Sequence, residues 1–309
     1  MNPGYDRPLY LMPFDHRHSY VTGLFHATPP LSTEVHEAVV GSKRVIYDGF
    51  LEAVEQGVPA GTAGVLVDEE FGAAILRDAA RHGYVTALST ERSGSDEFEF
   101  EYGDAFAAHI EAFQPTFAKA LVRYNPEGDS ALNQRQAARL RQLSEYCRSA
   151  EYRFMFELLI PPTGAQSDRA RADGMDYELE MRPGLMLQAI STLQDAGVEP
   201  DVWKVEGLQR RVHCEQVVAA ARRRGREHVG CIVLGHGVDE KKVVTWLATA
   251  ASVPGFIGFA VGRTTFWDPV ADYLASKTTR QEAVSRIARR YREWVAIFER
   301  TRPSPPASR

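Results

Sequence analysis

The chain has 309 residues, of which 25% are charged and 44% hydrophobic, and its net charge is −5. This is the balance of a globular protein with apolar residues enough for a sizeable core. The acidic excess argues against a nucleic-acid surface, and no apolar run reaches the length of a membrane span.

Short apolar runs bounded by Gly, Pro or charges occur at residues 9–14, 63–67, 85–88, 117–122, 154–159, 202–205, 231–234 and 256–261. Runs this short fit strands covered on both faces. Between them lie amphipathic stretches of helical spacing at 34–56, 71–82, 104–112, 132–149, 177–196, 209–224, 239–251 and 279–298. Several open on a capping residue, such as Ser32 or Thr33 before Glu34. Eight strand-then-helix repeats predict the α/β class, as a single (β/α)8 TIM barrel over residues 1–300. A Pro-, Ser- and Arg-rich tail at 301–309 is predicted to be disordered. A doubly wound open sheet is the alternative, but the first run leads into Asp15-His16-Arg17 instead of a GxGxxG turn. Residues 161–176 read as a long loop, either a lid or a surface excursion. Cys147, Cys214 and Cys231 are an odd, widely spaced set that predicts neither disulfides nor structural zinc. The opening residues lack a signal-peptide core, so a cytoplasmic setting is expected.

Active sites of this fold sit at the C-terminal ends of the strands. Those ends carry Asp15-His16-Arg17, Asp68-Glu69-Glu70, Glu91-Arg92, Arg123, Glu157, Lys204 with Glu206, Gly235-His236-Gly237 and Gly262-Arg263. The chain has 30 arginines but only six lysines, and of these Lys119 and Lys204 alone fall in predicted strands. Alternation puts Lys204 and Glu206 on one strand face, with Trp203 and Val205 on the other. Burying an ammonium is costly unless it is paired or neutralised. Lysine, unlike arginine, can shed its proton and attack a carbonyl. A Schiff-base lysine and a structural ion pair with Glu206 both fit this strand.

Glu157 has apolar strand neighbours, Met155 and Leu159, so desolvation is expected to raise its pKa and suit it to proton transfer. The alternative is a carboxylate that pairs with Lys204 or Lys119 on adjoining strands. Gly235, His236, Gly262 and Arg263 close the last two strands, where barrels often bind phosphate. Glycine there is also compatible with a plain turn. Asp15, Asp68, Glu69 and Glu157 could ligate Mg²⁺, but Lys204 and several arginines crowd the same rim. His16, His18, His26 and His236 lack zinc-ligand spacing. Neither metal nor cofactor is predicted.

Six segments share one resemblance: Leu11-Met12-Pro13-Phe14-Asp15-His16-Arg17-His18, residues 65–72, residues 117–128, Phe154-Met155-Phe156-Glu157-Leu158, Asp201-Val202-Trp203-Lys204-Val205-Glu206-Gly207 and residues 258–267. Together they resemble the aldolase-like domain that forms the C-terminal half of bifunctional 5-dehydro-2-deoxygluconokinases of inositol catabolism. More distantly they are similar to the class I tagatose-1,6-bisphosphate aldolases. The resemblance spans residues 8 to 299. It implies a Schiff base on Lys204, proton relay by Glu157 and phosphate binding at Gly262 and Arg263. On that reading Gly235 and His236 help to hold the phosphate, Asp15 and Lys119 orient Lys204, and Arg17, Arg92 or Arg123 receives a substrate carboxylate. The implied substrate is 2-deoxy-5-keto-gluconate 6-phosphate, cleaved to dihydroxyacetone phosphate and malonate semialdehyde. A tagatose-bisphosphate-like ketose and a non-catalytic phosphosugar-binding role are the alternatives. The sugar-kinase half has no counterpart in these residues, so the substrate can differ from that of the fused enzymes. Barrels of this kind are commonly homo-oligomers.

Overall fold

The structure, a computed structural model, describes residues 4–303 apart from His236 and Val238. Its strands are β1 (Leu9–Pro13), β2 (Ala63–Val67), β3 (Val85–Ser89), β4 (Phe117–Arg123), β5 (Arg153–Leu159), β6 (Val202–Glu206), β7 (Gly230–Leu234) and β8 (Phe256–Ala260). They pair in sequence order, all parallel, and β8 closes on β1. The expected barrel is therefore present, with strand limits that differ from the predicted ones by at most one residue.

Alternation separates two apolar layers. Phe154, Phe156, Leu158, Trp203 and Val205 point outward and pack under the helices. Leu11, Leu66, Phe117, Met155 and Val202 point inward and plug the barrel. Both faces are apolar over most of each strand, which is why the strands read as continuous runs. Further along β4, β5 and β6 the inward positions become Lys119, Glu157 and Lys204, so a charged layer sits directly on the apolar plug.

The helices are α1 (His18–Phe25), α2 (Thr33–Glu55), α3 (Glu69–Arg81), α4 (Phe106–Phe113), α5 (Ser130–Ser149), α6 (Gly164–Asp173), α7 (Arg182–Asp195), α8 (Arg211–Ala221), α9 (Glu240–Ala251), α10 (Arg263–Leu274) and α11 (Arg280–Thr301). Eight of them are the predicted set. The others, α1, α6 and α10, follow β1, β5 and β8, at the C-terminal rim. Residues 161–176 are thus not a long loop. They hold α6, opened by a capping box between Thr163 and Gln166 and closed by Gly174 at φ 64°. Only Gln166 and Ala170 of α6 are buried, so no apolar stripe marks it in the sequence. α10 carries Pro269 inside it, and α1 has no side-chain cap. No helix among the described residues is long and apolar enough to cross a membrane. α11 runs to Thr301, and residues 304–309 of the expected tail lie outside the described residues.

Candidate active site

A cavity of about 330 Å³ opens at the C-terminal rim, lined among others by Asp15, His16, Arg17, Glu157, Lys204 and Arg263. Its floor is the charged layer. The register sets Glu157 of β5 beside Lys204 of β6. Lys204 Nζ stands 2.7 Å from Glu157 Oε1. Glu157 Oε2 lies 2.8 Å from Lys119 Nζ, so one carboxylate bridges two ammonium groups. Lys119 also donates to Asp15 Oδ2 and Glu91 Oε1, each at 2.7 Å. The carboxylate expected to partner Lys204 from its own strand, Glu206, instead accepts from the Ile160 N–H at 2.9 Å and faces Arg182 at 3.3 Å. Alternation puts the two on one face, but the one nearer the rim meets the β5–α6 connection.

Burial pushes the Glu157 carboxyl up, yet Lys119 and Lys204 beside it pull harder and its pKa ends below the ordinary value. The expected rise is therefore corrected: desolvation is present, but two adjacent cations outweigh it. Asp15 is likewise raised by burial and drawn down by Lys119 and Lys204, well below the usual carboxylate range. Burial lowers Lys119, while Asp15, Glu157 and Glu91 raise it further and hold it firmly charged. Glu91 goes the other way: burial and Asp15 raise it more than Lys119 lowers it. At neutral pH the floor thus offers an ionised carboxylate against Lys204 and a permanently charged Lys119 behind it.

The eighth-strand end contributes Gly262 and Arg263, the latter opening α10. A Cβ at Gly262 would stand 2.2 Å from the Pro13 carbonyl oxygen, so only glycine permits this passage beside β1. Gly237, at φ 69°, lies under the Arg263 guanidinium, 2.8 Å from where a Cβ would be. Gly235 lines the cavity as well. His236 lies outside the described residues. Burial lowers the pKa of Arg263, and Glu157 raises it.

Arg17 is buried and tied down, with Nη1 donating to Glu101 at 2.6 Å and Nη2 to the Glu91 carbonyl. Arg123 stands more exposed at the rim and donates to the Ser95 carbonyl at 3.2 Å. Of the acidic groups considered for a metal, Asp15 and Glu157 meet at Lys119, and the other two are engaged elsewhere. Asp68 faces Lys43 and caps α3 through the Phe71 N–H at 3.0 Å, while Glu69 takes His109 at 2.7 Å. Two members of the site, Glu91 and His16, have no role assigned from sequence. Glu91 is visible there only as one of many strand-end charges. His16 is counted there in the charged end of β1 and set aside as a zinc ligand, although its place beside Asp15 is the available signal.

Known structures share this architecture. The fructose-bisphosphate aldolase of Plasmodium falciparum aligns at a TM-score of 0.63 and 13% identity, covering 99% of this chain and 99% of its own. The fructose-bisphosphate aldolase of Slackia heliotrinireducens gives 0.57 and 13%, over 97% of this chain and 88% of its own. A fructose-1,6-bisphosphate aldolase described as Schiff-base-forming gives 0.54 and 14%, over 87% and 94%. At such identities the likeness is one of fold, an aldolase-like barrel. No curated protein matches the chain. Residues 5–302 match the family described as "Uncharacterized protein conserved in bacteria" (DUF2090), and the chain belongs to that family.

Proposed function

We propose that the protein is a class I aldolase acting on a phosphorylated ketose, with Lys204 as the Schiff-base lysine. The observation that carries this reading is the Lys204–Glu157 contact at 2.7 Å on a cavity floor, with Glu157 held ionised. A buried lysine beside a carboxylate that can take its proton is the arrangement a nucleophilic amine needs. The aldolase-like barrel of the similar structures supports the same class.

Lys204 would add to the ketone next to the phosphate-bearing carbon and expel its oxygen as water, leaving a protonated imine. Glu157 then takes the proton of the β-hydroxyl. The adjacent C–C bond breaks, its electrons pass into the iminium to give an enamine, and an aldehyde leaves. Protonation of the enamine carbon and hydrolysis of the imine release the second product and restore the lysine. Lys119 keeps Glu157 and Asp15 ionised and in place. Arg263, with Gly235 and Gly262, would hold the phosphate, since a guanidinium grips phosphate in bidentate fashion. Arg123 is the better seat for a substrate carboxylate, because both terminal nitrogens of Arg17 are already bonded. By resemblance the substrate is 2-deoxy-5-keto-gluconate 6-phosphate, cleaved to dihydroxyacetone phosphate and malonate semialdehyde.

The test is reductive trapping. Borohydride with dihydroxyacetone phosphate is expected to leave a covalent adduct on the wild type and none on Lys204→Ala. Full activity in that variant, or a wild type that stops turning over in EDTA, would defeat the mechanism.

A further inference from the structure

Gln136 of α5 is fully buried, on the helix face that also carries Leu140 and Leu143. Enclosing an amide there is costly unless its hydrogen bonds are met. They are met by backbone groups of two different segments. Gln136 Oε1 accepts from the Phe98 N–H at 2.8 Å, and Gln136 Nε2 donates to the Arg123 carbonyl at 3.0 Å. The register of β3 with β4 ends at Lys119, so β3 does not reach the Arg123 carbonyl and Gln136 takes its place.

The two segments so joined meet again at the cavity. Residues 92–98, from the connection between β3 and α4, line its rim, and Arg123 Nη1 donates to the Ser95 carbonyl at 3.2 Å. Gln136, Phe98, Ser95 and Arg123 thus close a ring that holds the arginine both at its backbone and at its tip. Glu97 fastens the same rim segment to α5 a second time by accepting from Arg135 and Arg139, which also balance its charge. The other arginines of this wall are spent, Arg92 on Glu99 and Arg17 on Glu101 and the Glu91 carbonyl. The second terminal nitrogen of Arg123 is engaged by none of the described residues.

We infer that Gln136 is a positioning residue for the anionic end of the substrate: by fixing the end of β4 against the rim segment it aims the Arg123 guanidinium. This rests on the aldolase reading above. Arg123 stands one inward step beyond Leu121, the register partner of Glu157, which is about 7 Å of strand. Glu157 takes the proton of the β-hydroxyl, so Arg123 meets a carboxylate a few bonds beyond the carbon that becomes the aldehyde. The ligand class is a short aldehyde that carries a carboxylate. A guanidinium left to swing pays an ordering cost on binding, and the loss falls on the KM of that aldehyde and leaves kcat in place.

The probes are condensation of dihydroxyacetone phosphate with malonate semialdehyde, an anion, and with propanal, its uncharged counterpart in chain length. Gln136→Met fills similar space without either hydrogen bond. It is expected to raise KM for malonate semialdehyde about tenfold, with kcat and the KM for propanal each within about twofold of wild type. In an Arg123→Met background the same substitution should raise neither KM further. An equal rise for both aldehydes, or a rise that persists without Arg123, would make Gln136 a merely structural residue and overturn the inference. A KM for malonate semialdehyde within about twofold of wild type would overturn it as well. Should Gln136→Met fail to fold, Gln136→Glu carries the test with the same expectations, because it keeps the acceptor for Phe98 and loses the donor to Arg123. A wild type that neither condenses these aldehydes nor gives a borohydride adduct would overturn the aldolase reading itself, and this inference with it. A wild type that gives the adduct but treats the two aldehydes alike overturns this inference alone.

Discussion

Lys43 on α2 and Lys204 on β6 are both buried against a carboxylate, yet their surroundings differ in every other respect. Lys43 and Asp68 are wholly enclosed, with the ammonium 5.2 Å from the Phe71 ring centroid and 5.6 Å from that of Tyr20. Asp68 spends its other oxygen capping α3. This pair joins α2 to the end of β2 and lies outside the lining of the rim cavity. Lys204 stands on a cavity floor, and its carboxylate is shared with a second ammonium that remains if Lys204 loses its charge. Burial beside a carboxylate therefore does not mark a nucleophile. Access and a partner that stays satisfied after proton transfer do.

The largest expected effect tests that contrast at its reactive end. Lys204→Met should lower aldol turnover by roughly 10⁴-fold or more, as removal of a covalent nucleophile does. Its stability loss in urea should stay well below that of the Lys43 variant, because Glu157 keeps Lys119. Lys43→Met should do the opposite. It strands the Asp68 charge in the interior and should cost about 3–5 kcal/mol in urea unfolding. Turnover per folded molecule should stay within about twofold, since breaking the pair removes nothing that touches substrate. A comparable loss of turnover in both variants would collapse the distinction.

A pH series sharpens it further. The unfolded chain protonates His16 near its ordinary value of 6.5, whereas the folded chain resists until about pH 4. Within that window the unfolded state holds more protons, so stability falls as pH falls, by at most about 3 kcal/mol for this group. His16→Gln should flatten the stability–pH curve between those limits. Lower still, loss of the ionised Asp15 and Glu157 should destabilise the wild type, because both are held below their ordinary values in the fold.

The smallest effect belongs to Glu91→Gln. The carboxyl of Glu91 is pushed upward, its Oε2 has no partner among the described residues, and Lys119 retains Asp15 and Glu157 without it. The amide should cost less than about tenfold in turnover, measured as kcat with KM nearly unchanged. A loss as large as that of Lys204→Met would place Glu91 in the proton path instead.

Much of the site is legible in the order of the amino acids. Short two-sided apolar runs identify the strands. Strand order then places Glu157 beside Lys204 and Lys119, since consecutive parallel strands of a barrel are neighbours. The ion pair between Lys204 and Glu206 that the strand allows does not form. Alternation tells which face a side chain takes, not which group waits at its height in the barrel. The sign of the Glu157 shift is misread for the same reason: flanking Met155 and Leu159 are visible in the sequence, but two ammonium groups from other strands are not. α6 escapes because its stability comes from caps and from Gln166, which bonds Asn125 at 2.7 Å and Glu127 at 2.8 Å, not from an apolar stripe.

The amino-acid sequence alone determined the barrel, the charged rim and the use of lysine where arginine is the habit of this chain. Those follow from local period and composition, which act between residues close along the chain. Only the tertiary structure decided which carboxylate meets which lysine, that Lys43 is sealed away, and that the buried Nδ1 of His16 has no partner among the described residues. These depend on contacts between residues tens to hundreds of positions apart, where small differences in distance and burial set the sign of each electrostatic effect.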